Sequence, residues 1–97
     1  MKLIRIEQSK VPGKKMTAIF LSDAGPMMIH FGAKGYEDFT TSDPKIREAK
    51  KEAYLKRHKP REDWNNPYTA GALSRWILWN KPTIKASITN YKQRFKL

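Results

Sequence analysis

Apolar residues in the first forty positions come in short runs broken by turn formers. Leu3, Ile4 and Ile6 make the first run, Met16 to Leu21 the second, and Met27 to Phe31 the third. Val11, Pro12, Gly13 and Lys14 separate the first pair, with proline and glycine placed for a tight bend. Asp23, Ala24, Gly25 and Pro26 separate the second pair, and Gly32 and Gly35 close the third run. Such spacing predicts a three-stranded antiparallel meander. Apolar side chains fall on both faces in places, so one face needs a cover.

From residue 43 the period changes. Ser42, Asp43 and Pro44 read as a cap followed by proline at the first helical position. A helix is predicted from Pro44 to about His58, with Ile46, Ala49, Ala53 and Tyr54 as a narrow apolar stripe, ended by Pro60. Asn66 and Pro67 start a second predicted helix that runs to Trp79 and carries Leu73, Trp76 and Ile77 on one side. Gly71 inside it costs about 1 kcal/mol relative to alanine, which points to a packing reason. The third predicted helix, about Thr83 to Phe95, has the cleanest amphipathic pattern, with Ile84, Ile88, Tyr91 and Phe95. The expected class is α+β: a three-stranded meander followed by about three packed helices. Residues 1–97 form a single domain, strand-rich over 1–40 and helical and basic over 43–97. Below about 100 residues there is little room for a core, a deep pocket and a lid together.

Charge changes the picture most. Twenty Lys and Arg face nine Asp and Glu, a net charge of +11. Self-repulsion of that size destabilises a compact chain, so a polyanionic partner is the natural reading over a solubility surface. The charge is concentrated: residues 1–40 carry a net +2 and residues 41–97 a net +9. Cysteine is absent, which excludes disulfide frameworks and cysteine-based zinc sites. No apolar run is long enough to cross a bilayer, so no membrane partner is expected. The opening MKLIRIEQSK lacks a signal-peptide core, so an intracellular location is expected.

Four constellations carry candidate chemistry. The first is the basic segment Lys45 to Arg61, with eight Lys and Arg opposed by Glu48 and Glu52. Arg47, Lys50, Lys51 and Arg57 are expected to cluster away from Ile46 and Ala53. Together with Lys59 and Arg61 they form a face suited to phosphates, whereas most charge runs are simply solvated. Arg75 and Lys81 are secondary phosphate candidates. The second is the tryptophan set. Trp76 matches the spacing of Leu73 and Ile77 and reads as core, and Trp79 beside it is placed to cap the sheet. Trp64 sits in a polar linker and is the candidate ring for stacking on a base. The third is the loop His30 to Thr40, where Lys34 between two glycines can offer an ammonium and backbone N–H groups to a phosphate. Its bland reading is a strand end with glycine at positive φ. The fourth is catalysis. His30, Glu37, Asp38, Asp43, His58, Glu62 and Asp63 are the polar candidates, but a nuclease needs carboxylates converging on one metal. Pro60 between His58 and Glu62 argues against a helical metal pair. No metal site, no cofactor and no catalytic residue are expected.

With these residues in view, the chain resembles a small basic protein family encoded by large nucleocytoplasmic DNA viruses. The resemblance rests on "FGAKGYEDFT" (31–40), "YLKRHKPREDW" (54–64), "NPYTAGALSRWILWNKPT" (66–83) and "SITNYKQRF" (87–95), and spans roughly residues 28–95. It implies a viral origin and a place in the infected cell or the virion, and it implies no reaction. The resulting expectation is non-enzymatic binding of nucleic acid, double-stranded DNA first, to organise or package a genome. A minor capsid or cement protein, whose basic face meets acidic capsid proteins, is the main alternative. A metal-dependent nuclease is the third.

Overall fold

The computed structural model covers residues 1–97. Strands β1 (Lys2–Gln8), β2 (Lys14–Ser22) and β3 (Gly25–Ala33) pair antiparallel in the order β1-β2-β3. The register shifts between Leu3 and Arg5, where Leu3 faces Phe20 and Arg5 faces Ile19. Ile4 is therefore the extra residue of a bulge. The bulge moves Ile6 onto the side of Leu3, and both pack on the core while Ile4 stays exposed. That resolves the irregular spacing of the first apolar run.

The cover for the inner sheet face comes from the second half, as the apolar pattern predicts. Helix α2 (Ala70–Leu73) is one turn long and widens into a π segment, Ser74–Leu78. Helix α3 spans Ile84–Phe95. Phe20, Phe31, Leu73, Ile77 and Tyr91 are fully or almost fully buried between these layers. Thr69 caps α2 by accepting from the Ala72 amide, and Thr83 caps α3 by accepting from the Ala86 amide.

Two helix starts lie later than the sequence predicts. Helix α1 runs over Arg47–His58, not from Pro44. Asp43 to Ile46 form a separate turn in which the Asp43 carboxylate takes the Lys45 amide. The Ser42 hydroxyl donates back to the Asp38 carbonyl, tying this turn to the preceding loop. Likewise Asn66 makes a local turn with the Tyr68 amide, which delays α2 to Ala70. Past α1, Pro60 does not stop the chain from turning: Lys59–Arg61 form a 3-10 turn, where a first-turn proline loses no needed hydrogen bond.

Candidate nucleic-acid interface

Helix α1 is held to the body by few groups. Tyr54 is its one buried residue. The Tyr54 ring stacks on Trp79, with centroids 4.7 Å apart and planes 11° apart, and His58 stacks on Tyr54 at 4.3 Å. Trp79 thus anchors α1 while packing against the core. Burying one large ring outweighs burying small side chains, so the helix rotates until Tyr54 faces in. Ile46, Ala49 and Ala53 are consequently exposed.

That rotation corrects the expected basic face. Arg47, Lys50 and Lys51 lie on the inward side with Tyr54 and His58, each of them only partly exposed. The guanidinium of Arg47 lies 5.2 Å from the Phe39 ring centroid. Lys50 is ion-paired with Glu37. Lys51 Nζ donates to the Asn80 carbonyl at 3.0 Å and lies 4.8 Å from the Phe39 centroid. Burial, and then the charge of Arg75, hold the Lys51 ammonium below the usual lysine value. Arg57, Lys59 and Arg61 remain exposed at the end of α1 and on the 3-10 turn, as does Lys81 before α3.

Two further expectations change. The Lys34 amide donates to the Gly13 carbonyl of the β1–β2 turn and the Tyr36 amide to the Ala33 carbonyl, so these N–H groups are spent within the fold. The Lys34 side chain stays exposed. Trp64 is not a free ring: it is half-buried against the core, its Nε1 donates to Glu62 at 2.7 Å, and Arg75 lies 5.6 Å from its centroid. Trp76 is in the core, as its spacing predicts.

A cleft of about 470 Å³ opens between the β2–β3 end of the sheet and α1, and contains most of the polar candidates. Lys15 Nζ binds Asp38 Oδ2 at 2.7 Å, and Asp38 Oδ1 accepts from the amide and hydroxyl of Thr40. His58 Nδ1 lies 3.0 Å from Glu62 Oε1 across Pro60, a pair that the 3-10 turn makes. Every carboxylate in this cleft already has a cation or donor partner within the fold. Of its charged groups, Lys14 and Arg57 have no such partner. His30 lies outside it, hydrogen-bonded to Thr17 and Ser9 on the sheet. No three His, Asp or Glu side chains come together to hold a metal ion.

A second concavity, an open groove of about 520 Å³, lies on another side of α1. Its walls are Leu55, Trp64 and Trp76, and Lys56, Lys59 and Arg75 line it. Arg75 Nη1 donates to the Trp79 carbonyl at 2.8 Å, while its buried Nε has no partner. Sequence reasoning placed Arg75 but missed this company. Lys56 and Arg94 are solvent-facing positions on their helices, and no spacing rule links them to Trp76.

The fold and the surface define a small basic α+β domain in which four of the nine acidic side chains are paired with a basic side chain. The chain belongs to a family of unknown function, DUF5754, whose match covers residues 4–58. The matched part comprises the sheet and α1, and the tryptophan-rich segment follows it. No curated protein and no solved structure matches the chain.

Proposed function

We propose that this protein binds nucleic acid through its phosphates and performs no catalysis. The observation that carries the reading is the imbalance of charge partners. Only Arg5, Lys15 and Lys50 of the twenty Lys and Arg lie within 4 Å of a carboxylate, which leaves seventeen without one. Glu7, Glu37, Asp38 and Glu62 are meanwhile engaged in ion pairs inside the fold. Unpaired cations concentrated on Arg57, Lys59 and Arg61 are suited to a polyanion, because phosphate contacts release condensed counterions. No base-reading module is recognisable, so little sequence preference is expected. In the viral setting that the resemblance implies, the role is organisation or packaging of a DNA genome, in the infected cell or in the virion.

The test is a binding titration of fluorescent duplex DNA at several salt concentrations. Contact with five to eight phosphates gives a slope of log K against log salt of about −4 to −7. Absence of binding at low salt would overturn the reading. A minor capsid or cement protein is the second reading, favoured by Leu21 and Met28, which stand 49 and 60 % exposed on the uncovered sheet face. Stoichiometric recovery with shells, together with weak DNA binding, would favour it.

A further inference from the structure

We propose that the groove between the end of α1 and the π segment is a phosphate subsite, which takes the backbone of a nucleic acid between Arg75, Lys56 and Lys59. The inference rests on the nucleic-acid reading and assigns it a place.

Three independent features meet there. The first is a cluster of like charges around one ring. The guanidinium carbons of Arg75 and Arg94 lie 4.1 and 3.7 Å from the Trp76 ring centroid. They are therefore at most about 8 Å apart, within the screening length of physiological salt. Neither has a carboxylate within 4 Å, and neither do Lys56 and Lys59 on the opposite wall. Glu52 also lines the groove, but it is exposed and makes no ion pair. The second is the orphaned donor: Arg75 Nε is buried without a hydrogen-bond partner, in a chain where no other buried side-chain nitrogen or oxygen lacks one. A buried unpaired donor costs about 1–3 kcal/mol unless something compensates it. The third is the backbone. Ser74–Leu78 is a π turn, a rare form frequent at functional sites.

Arg75 has a structural task as well, since it donates to the Trp79 carbonyl and lies against two indoles. That task accounts for one bond and for the cation–π contacts. It does not account for a second arginine on the same ring or for two lysines across the groove. Burial, and after it the charge of Arg94, hold Arg75 below the ordinary guanidinium value. A bound anion relieves both the repulsion and the desolvation. The adjacent cleft differs in that three carboxylates, Glu37, Asp38 and Glu62, stand among its cations, whereas Glu52 is the one carboxylate in the groove.

The experiment uses the full chain and a fluorescent DNA duplex. Lys56→Gln/Lys59→Gln removes two exposed cations of the groove and leaves Arg75 in place. Its affinity should fall about tenfold or more, and its salt slope should become shallower by about two. Quenching of tryptophan fluorescence by DNA should shrink in parallel, because Trp64 and Trp76 wall the groove. Unchanged affinity and slope in a variant with wild-type thermal stability would overturn the groove alone. Displacement of DNA by polyglutamate at equal charge would also overturn it, in favour of an acidic protein. If the wild type binds no DNA, the broader reading fails first, and the groove assignment falls with it. Loss confined to Arg57→Gln/Arg61→Gln leaves the broader reading standing and removes the groove.

Discussion

Lys15 Nζ lies 2.7 Å from Asp38 Oδ2, and this pair ties the central strand to the loop that leads into α1. The Asp38 side chain is 3 % exposed and that of Lys15 23 %. The Asp38 carbonyl also takes the Ser42 hydroxyl, and its Oδ1 takes the Thr40 amide and hydroxyl. Lys15→Ala strands the carboxylate. Loss of one partner of a fully buried pair costs about 3–5 kcal/mol, and the residual solvent access of Lys15 lowers this to about 2–3. Urea unfolding of Lys15→Ala, Asp38→Ala and the double variant should give a coupling above about 1 kcal/mol. Additive losses would show that the two residues act separately.

Gly71 has the packing reason that its presence in a helix suggests. A Cβ there would sit 2.8 Å from Glu62 Cδ and 2.9 Å from Glu62 Oε2. That carboxylate is held by His58 and by the Trp64 indole, so it cannot swing away freely. Gly71→Ala gains about 1 kcal/mol of helix propensity. Overpacking costs about 1–3 kcal/mol, so the net effect should be a loss of stability, read as a lower urea midpoint. Adding Glu62→Ala should recover part of that loss. A stabilised single variant would show that the carboxylate relocates at no cost.

Gly32 is the matching case on the sheet. Its φ is +80°, and a Cβ would meet Leu78 Cδ1 at 2.7 Å and Lys15 Cβ at 3.0 Å. Backbone preference and packing therefore act in one direction. Gly32→Ala should destabilise more than Gly71→Ala, and thermal melts of the two variants give the order directly.

The sheet, its turns and α3 were legible because each rests on local signals: alternating apolar runs, proline–glycine bends and one clean helical stripe. The bulge at Ile4 was not, since a register shift has no local marker here. The end of helix α1 at His58 was legible, whereas its start and, apart from Tyr54, its buried face were not. The stripe Ile46, Ala49 and Ala53 was legible as apolar, but the tie to Trp79 through Tyr54 is a long-range contact that no spacing encodes. The same limit hid the pairing of His58 with Glu62. Their i, i+4 spacing was visible, and Pro60 argued against a regular helix without excluding a 3-10 turn. Arg75 was named from its charge, whereas Arg94 reaches the same indole only through the packing of α3.

Tyr54 and Tyr91 give the protein a defined alkaline limit. Burial pushes both phenols well above the ordinary value of 10.0. Tyr91 also donates its hydroxyl to the Pro67 carbonyl. In the unfolded chain these phenols ionise near 10, so above that pH the folded state holds more protons than the unfolded state. Stability contributed by these groups is full below pH 10 and is lost as pH rises from there towards the raised folded values. Lys51 acts in the opposite sense, because its lowered value makes the folded state release a proton first on the way up to 10.5. Phenolate absorbance from Tyr54 and Tyr91 should therefore emerge together with loss of near-UV circular dichroism. Tyr91→Phe should remove one equivalent from that step. Its ionisation ahead of unfolding would show that burial does not protect it.

The rotation of α1 separates two sets of cations that look alike in the sequence. Lys50 is paired with Glu37, and Lys51 is committed to the Asn80 carbonyl. Neither is free to meet a phosphate without breaking a contact in the fold. Arg57, Lys59 and Arg61 have no such commitment. Lys50→Gln/Lys51→Gln should thus leave DNA affinity within about threefold of wild type, with a salt slope changed by less than one. Its effect should instead appear in stability, where loss of the Asn80 contact costs about 0.5–1.5 kcal/mol and relief of the repulsion with Arg75 offsets part of it. Arg57→Gln/Lys59→Gln/Arg61→Gln should do the reverse, with a slope shallower by about three and a melting temperature close to wild type. If the inward pair proves to govern the slope, α1 must swing away from Trp79 when it binds. A change in tryptophan emission on binding that disappears in Trp79→Phe would report that movement.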